Sequence, residues 1–406
     1  MVRHFACGLL ALVIVGPASA DTEELTAGVQ RLGTAGDRYL EVQMRGGWQA
    51  VPPGPSLHPG ERNPAVPMIR ARLTATGDLL ATGTALPPID PEVYDDGLVA
   101  AVRAFQSRHG LVQDGVVGTG TRAAMNVPVA DRIAQLELNR DRVEHEPHPA
   151  GRHIRVNIPG YRLELLNDDT PVLDMPVVVG RRDRSTPLIE SAITWMVFNP
   201  SWTVPTKLAY EDLLPKMRRD PTYFSRSGIQ VYDSWHAGAG RVDPGWIDWT
   251  AVGPAVRHLK LRQAPGPGNP LGRVKFHMDN PHDIYLHDTN HRELMAKDRR
   301  ALSSGCIRVG DAEGLARELL RDDPRWPPER ITKVLNGRQT IQVTLAVPVP
   351  VRLVYQTAWV DAQETVHFRE DIYGVDRRQA AELSAARRRA EVLGGDTAPV
   401  VSPPAP

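Results

Sequence analysis

The sequence predicts an α+β multidomain chain, a small helical unit followed by a β-rich domain, and three observations carry that expectation. Apolar residues recur at helical spacing between about 63 and 128, as in Val66, Ile69 and Leu73. From Arg152 the period changes to two, with Ile154, Val156 and Ile158 alternating with polar residues. Between about 202 and 270 the strands are interrupted by a segment holding Trp235, Trp246 and Trp249. A length of 406 residues suits two or three domains, and 41% hydrophobic with 24% charged residues is a globular composition. The 48 basic residues balance 48 acidic ones and form no dense block, so charge gives no reason to expect a nucleic-acid partner.

Taken in order, residues 1–20 read as an export signal. Arg3 and His4 precede the apolar "FACGLLALVIVG", and Pro17 to Ala20 offers a small-x-small cleavage pattern. The apolar run is short for a bilayer span, which needs roughly 20 residues, so a soluble exported protein with no stable membrane span is expected. Cleavage would remove Cys7 and leave Cys306 without an intramolecular partner. A lone cysteine in an oxidising compartment is a liability unless it is buried or useful.

Residues 21–62, with "GGWQAVPPGPSLHPGE", read as a short irregular lead-in. In 63–128, Asp95 and Asp96 can cap a helix carrying Leu98, Val102 and Phe105, which Gly110 stops. An Asp114-Gly115 turn and a Thr-capped last helix follow. Residues 129–150 place Ile133, Leu136 and Val143 near one helical face, a linker helix. The β-rich domain spans 151–375, with strands at "VKFHM", "DIYLHD", "TIQVTLAV", "VRLVYQTAWVD" and "TVHFRED". Residues 376–406 supply a charged C-terminal helix and a tail of disordered composition.

The chemistry concentrates between Ile284 and Asp311. Cys306 follows Ser303, Ser304 and Gly305, and His287 ends the alternating strand "DIYLH" nineteen residues earlier. A thiol becomes a nucleophile when a base or cation raises its thiolate fraction, and His287 is the candidate base. Gly305 permits a tight turn in which the amides of Gly305 and Cys306 can face one spot, as an oxyanion requires. Tyr285 shares a strand face with His287 and lines the same pocket. Asp288, Thr289 or a backbone carbonyl can orient His287, and Arg308 can hold a substrate carboxylate or pair with an internal acid. Asp311 can cap the following helix. Two plainer readings stand beside this one. Cys306 can be an inert core thiol. Alternatively His277, His282, His287 and His291 can bind zinc with it, although no HExxH pattern occurs. No metal or other cofactor is expected.

Two motifs carry family resemblances. Phe105-Gln106, Asp114-Gly115 and Gly118-Thr-Gly-Thr121 resemble the small three-helix peptidoglycan-binding domain of bacterial wall enzymes. "YLHDT…RALSSGCIRV" resembles the catalytic motif of the L,D-transpeptidases, large periplasmic branch. That resemblance implies Cys306 as nucleophile, His287 as base, Ser304 and Gly305 in the oxyanion turn, and Tyr285, Ser303 and Arg308 as substrate contacts, with Ser303, Gly305 and Arg308 matching the family signature. Ser304 departs from it, standing where many members carry histidine. It further implies a lid formed by residues 202–270, periplasmic location, and peptidoglycan tetrapeptide stems as donor and acceptor. The reaction implied is a 3→3 cross-link between diaminopimelate residues, made through a cysteine thioester by a monomer. A stem-peptide hydrolase on the same fold and a non-catalytic wall-binding protein are the alternatives.

Overall fold

The computed structural model describes residues 20–79, 90–147, 149–168 and 170–392; residues 1–19 of the expected export signal, with Cys7, and the terminal tail lie outside them. No helix among the described residues is long and apolar enough to cross a membrane.

The chain opens with α1 (Ala20–Met44), which packs along α5 (Val129–His145). The irregular lead-in expected for 21–62 is therefore corrected over its first half: Leu32, Ala35 and Tyr39 are buried against Ile133, Leu136 and Phe368. Its second half is irregular, yet Val51 and Leu57 enter the core of the next unit. That unit consists of α2 (Val66–Ala75), α3 (Asp96–Arg108) and α4 (Thr119–Met125) around Ile69, Leu73, Leu98, Val102 and Phe105. Asp95 caps α3 by accepting the Leu98 amide at 2.8 Å, and Gly110 ends it at φ +67°. The cap of α4 is Gly118 rather than a threonine.

One side chain ties this unit's motif together. Gln106, fully buried, donates to the Asp114 carboxylate (2.8 Å), the Val116 carbonyl (3.0 Å) and Thr121 Oγ1 (3.1 Å), and accepts the Gly115 amide (2.9 Å). A buried amide must fill its donor and acceptor sites, so the spacing of these residues is a hydrogen-bonding requirement.

The β-rich domain holds β1 (Arg152–Asn157), β2 (Arg162–Asn167), β3 (Thr170–Gly180) and β4 (Ile189–Phe198) before the insertion. It resumes with β9 (Val274–Met278), β10 (Leu286–His287), β11 (Ala301–Ser303), β12 (Ile307–Val309) and the long β13 (Ile341–Val354). The nine strands run β11-β3-β12-β10-β9-β4-β13-β1-β2, and β3 also pairs with β2. The sheet thus curls back on itself over a core that includes Ile154, Leu163, Val177, Phe198, Phe276 and Leu286. Helices α9 (Ala312–Leu319) and α10 (Pro328–Asn336) bury Leu315, Ile331 and Leu335 in the same core.

The insertion folds as a unit with its own core. Its strands β5 (Trp202–Thr203), β6 (Ile229–Tyr232), β7 (Arg241–Val242) and β8 (Lys260–Gln263) form a separate sheet, joined by α6 (Thr206–Leu208), α7 (Leu214–Arg219) and α8 (Tyr223–Ser227). Trp249 is buried among Leu214, Phe224 and Val256, whereas Trp246 is 84% exposed.

Two boundaries differ from the expected ones. The short strands β14 (Ala358–Val360) and β15 (Val366–Phe368) form their own hairpin, not part of the large sheet, and bury Ala358 and Phe368 with α1 and α5. Helix α5 is accordingly a clamp rather than a free linker. Its Gln135 donates to the carbonyls of Thr357 and Arg369, Asn139 to Thr357, and Arg142 pairs with Asp376 of α11 (Val375–Val392) at 2.7 Å.

Candidate active site

Strand register assembles the site. In β10, Leu286 lies opposite Phe276 of β9 and Ile307 of β12, and all three are buried in the core. The next residue on each strand therefore faces the other way. His287 lies opposite Lys275 on one side and Arg308 on the other, so three basic side chains form a row across adjacent strands. Tyr285 precedes His287 by one pleat, and their ring centroids are 5.6 Å apart. Cys306 stands in the same relation to Arg308, which brings thiol, phenol and imidazole to one face, as the sequence leads one to expect for Tyr285.

The turn carrying Cys306 joins β11 to β12. Ser303 is buried; its hydroxyl donates to the Cys306 carbonyl (2.6 Å) and accepts the Gly305 amide (3.1 Å). Gly305 adopts φ +120°, where a side chain is strained, and a Cβ there would sit 3.2 Å from Ile284 Cδ1. The Gly305 carbonyl accepts from Thr186 Oγ1 at 2.7 Å. The expected pair of free oxyanion amides is thus corrected. The Gly305 amide is engaged by Ser303, while the Cys306 amide makes no hydrogen bond among the described residues. Ser303 is a scaffold of the turn rather than an open substrate contact.

Ser304 supplies no oxyanion donor either. It is exposed, and its hydroxyl accepts from Arg184 Nη1 at 3.1 Å. Arg184 also binds both oxygens of Asp212 (2.7 and 2.9 Å) and reaches Glu211, two residues of the insertion. Gly180, which ends β3, makes this possible: a Cβ there would meet the Arg184 carbonyl at 2.2 Å, so only glycine lets the 181–186 turn fold back onto the cysteine.

His287 is buried, and its Nδ1 donates to the Asp288 carbonyl at 2.5 Å. The backbone, not the Asp288 carboxylate, orients the ring. That carboxylate accepts from the Arg273 amide (2.8 Å) and Arg292 (3.1 Å), which corrects its candidacy as orienting acid. Thr289 Oγ1 accepts the His291 amide and does not reach the ring. Burial, reinforced by Arg308 and Lys275, pushes the His287 pKa down to about 3 against the pull of the Asp288 and Pro270 carbonyls. The ring is therefore a neutral base at pH 7. Burial raises the Cys306 thiol above its ordinary value, with Tyr285, Lys275 and Arg308 acting in the opposite direction. The thiol donates to the Asp283 carbonyl at 3.8 Å, and no hydrogen bond joins it to His287. Catalytic hydrogen bonds are often loose before substrate binds. Proton transfer here requires the thiol to turn from Asp283.

Arg308 makes no ion pair among the described residues, and its buried Nε has no hydrogen-bond partner, which leaves the internal-acid alternative without a partner. Of the other candidate metal ligands, His277 stacks on Trp195 and bonds Asp279, and His291 bonds Glu293. Three residues of the site went unread in the sequence, namely Lys275, Arg184 and Thr186. Lys275 carried only its parity in "VKFHM", which says nothing without the strand register. Arg184 and Thr186 reach the turn from more than 100 residues away.

A cysteine on a glycine turn and a neutral histidine, on one face of a curled sheet, are the groups that thiol acyl transfer requires. The family model described as the L,D-transpeptidase catalytic domain matches residues 151–334, and the "Putative peptidoglycan binding domain" matches residues 62–125. Residues 151–334 thus resemble the L,D-transpeptidase catalytic domains, and residues 62–125 a peptidoglycan-binding domain. A "Putative L,D-transpeptidase" of Haemophilus influenzae is 39% identical over 225 residues, 55% of this chain and 45% of that protein. N-acetylmuramoyl-L-alanine amidase CwlM of Mycobacterium tuberculosis is 44% identical over 78 residues, 18% of each chain. The match thus spans less than half the length of either relative. Among solved structures, an L,D-transpeptidase from Xylanimonas cellulosilytica overlaps 75% of this chain and 99% of its own, at 16% identity and a TM-score of 0.23. One from Stackebrandtia nassauensis overlaps 73% and 94%, at 11% identity and 0.26. At TM-scores this low the likeness carries no argument.

Proposed function

We propose that the protein is an exported L,D-transpeptidase of the periplasm that forms 3→3 cross-links between peptidoglycan stems. The observation that carries this reading is the placement of Cys306, on its Gly305 turn, on the same sheet face as His287. In the first half-reaction His287 takes the thiol proton as Sγ attacks the carbonyl between diaminopimelate and D-alanine of a tetrapeptide stem. The Cys306 amide is the donor left to meet the oxyanion. The C–N bond breaks, the proton passes from His287 to the departing D-alanine amine, and a thioester remains. In the second half-reaction the side-chain amine of another stem's diaminopimelate attacks the thioester. The C–S bond breaks, and the proton lost by that amine returns through His287 to the thiolate. Arg308 faces the stem's carboxylates, and the 202–270 insertion, anchored through Arg184, acts as the lid.

Incubating the protein with isolated walls and analysing the digested products tests this directly. Diaminopimelate-diaminopimelate dimers are expected, and Cys306→Ala abolishes them while wall binding persists. Shortened stems without dimers would instead assign hydrolysis, with water in place of the amine. A carbapenem is expected to acylate Cys306 and increase the protein mass.

A further inference from the structure

Two cations of the site have no counter-charge. Lys275 makes no hydrogen bond or ion pair among the described residues; its ammonium lies 3.9 Å from the centroid of the Tyr285 ring, and its charge is felt at Cys306. Arg308, on the far side of His287 in the same cross-strand row, is equally without an ion pair. The acids that act on them are Asp283 and Glu293, neither within ion-pair distance, and the Glu293 carboxylate is held by His291. Partly buried charges without partners are costly, so a site that keeps two of them, one on each side of His287, is complementary to an anion.

We propose that Lys275 binds the free carboxylate of the residue that leaves the donor stem, and so selects peptides ending one residue beyond the attacked carbonyl. The inference rests on the transpeptidase reading and adds a specificity residue to it. A single leaving residue places its carboxylate about 3.8 Å, one residue length, beyond the attacked peptide unit. The cation that reads it must therefore stand beside the nucleophile, where Lys275 stands. Ammonium and guanidinium on opposite sides of the imidazole also give the carboxylate a second effect. Both cations oppose protonation of His287, and neutralising them makes the ring a better base at the moment a correct donor is bound. A stem ending in an amide, or one extended by a further residue, leaves the cations unmatched.

The test uses the full chain and a synthetic tetrapeptide stem with either a free carboxylate or a carboxamide at its end. Binding to the Cys306→Ala protein is measured by calorimetry, and release of the terminal residue by the wild type is measured beside it. The carboxylate form is expected to bind at least tenfold tighter than the amide. Lys275→Met in the Cys306→Ala background removes that preference without weakening amide binding, which also reports that the variant is folded, and Lys275→Arg restores most of it. Turnover by Lys275→Met shows the loss mainly in KM. Equal binding of the two peptides to Cys306→Ala, or a preference that survives Lys275→Met, overturns the assignment while leaving the transpeptidase reading standing if the wild type still releases the terminal residue. Absence of both binding and release overturns both.

Discussion

Cys306 and His287 are held as an uncharged pair in the resting site, and that state has a kinetic signature. Burial raises the thiol and lowers the imidazole, so at pH 7 a neutral thiol faces a neutral base. Alkylation by iodoacetamide is therefore expected to climb with pH to a midpoint above the ordinary thiol value of about 8.5. A plateau near pH 5–6, the mark of a preformed thiolate-imidazolium pair, would contradict this. Removing the base by His287→Ala is expected to slow acyl transfer on the order of 10² to 10⁴-fold. At this scale the sequence was informative wherever chemistry is local. The face shared by His287 and Tyr285 follows from the period of a strand, and the turn at Cys306 from its glycine. The roles of Ser303 and Asp288 did not, because a hydroxyl turned onto its own loop reads the same in sequence as one that faces a substrate.

Between elements, Arg184 is the tie of greatest consequence. It belongs to the turn after β3, is mostly buried, and holds Asp212 and Glu211 of the insertion while donating to Ser304 beside the nucleophile. The serine standing in place of histidine thus has a structural task. It receives an arginine that ties the insertion to the Cys306 turn. Arg184→Gln removes charge-assisted bonds worth about 1.5–3 kcal/mol. Faster hydrogen exchange over residues 206–219 and a lower turnover are expected together, and unchanged exchange there would count against the coupling. Strands were legible where alternation ran long, as in β1 and β9. "DIYLHD" gave only the two paired residues of β10, because Asn280 accepts the Ile284 amide and donates to its carbonyl, fixing the preceding residues as a loop. The two strands expected at the C-terminal side of the sheet are one, β13, with an irregularity between Thr344 and Val349.

For the whole molecule, the unit of α2, α3 and α4 is docked rather than tethered. Arg108 of α3 forms a buried two-bond pair with Asp78 (2.6 and 2.7 Å) and reaches Tyr39 of α1 and the Val366 carbonyl of the β14–β15 hairpin. His109 stacks between Phe105 of its own unit and Phe368 of that hairpin. Asp78→Asn leaves the guanidinium buried without its charge partner, and a stability loss of about 3–5 kcal/mol is expected in denaturant unfolding. Burial, with Arg108 and Arg132 nearby, holds His109 well below its ordinary pKa. The unfolded chain binds a proton below about pH 6.5 that the folded chain resists, so this contribution is complete above that pH and is lost as pH falls. His109→Phe is expected to flatten the acid side of the stability profile; an unchanged slope would remove His109 as its source. None of this docking was legible in the sequence. It depends on α1, whose glycine- and proline-rich continuation disguised a 25-residue helix as lead-in, and on pairs such as Arg108 and Val366 that lie 258 residues apart.

Whether Cys306 carries the acyl group is read most directly from the mass of the acid-quenched protein after mixing with a tetrapeptide stem. The expected result is an increase equal to the tripeptide acyl group, located on the peptide containing Cys306, released by hydroxylamine and absent in Cys306→Ala. Release of terminal D-alanine from a protein whose mass stays unchanged, or an adduct on any other residue, would contradict it.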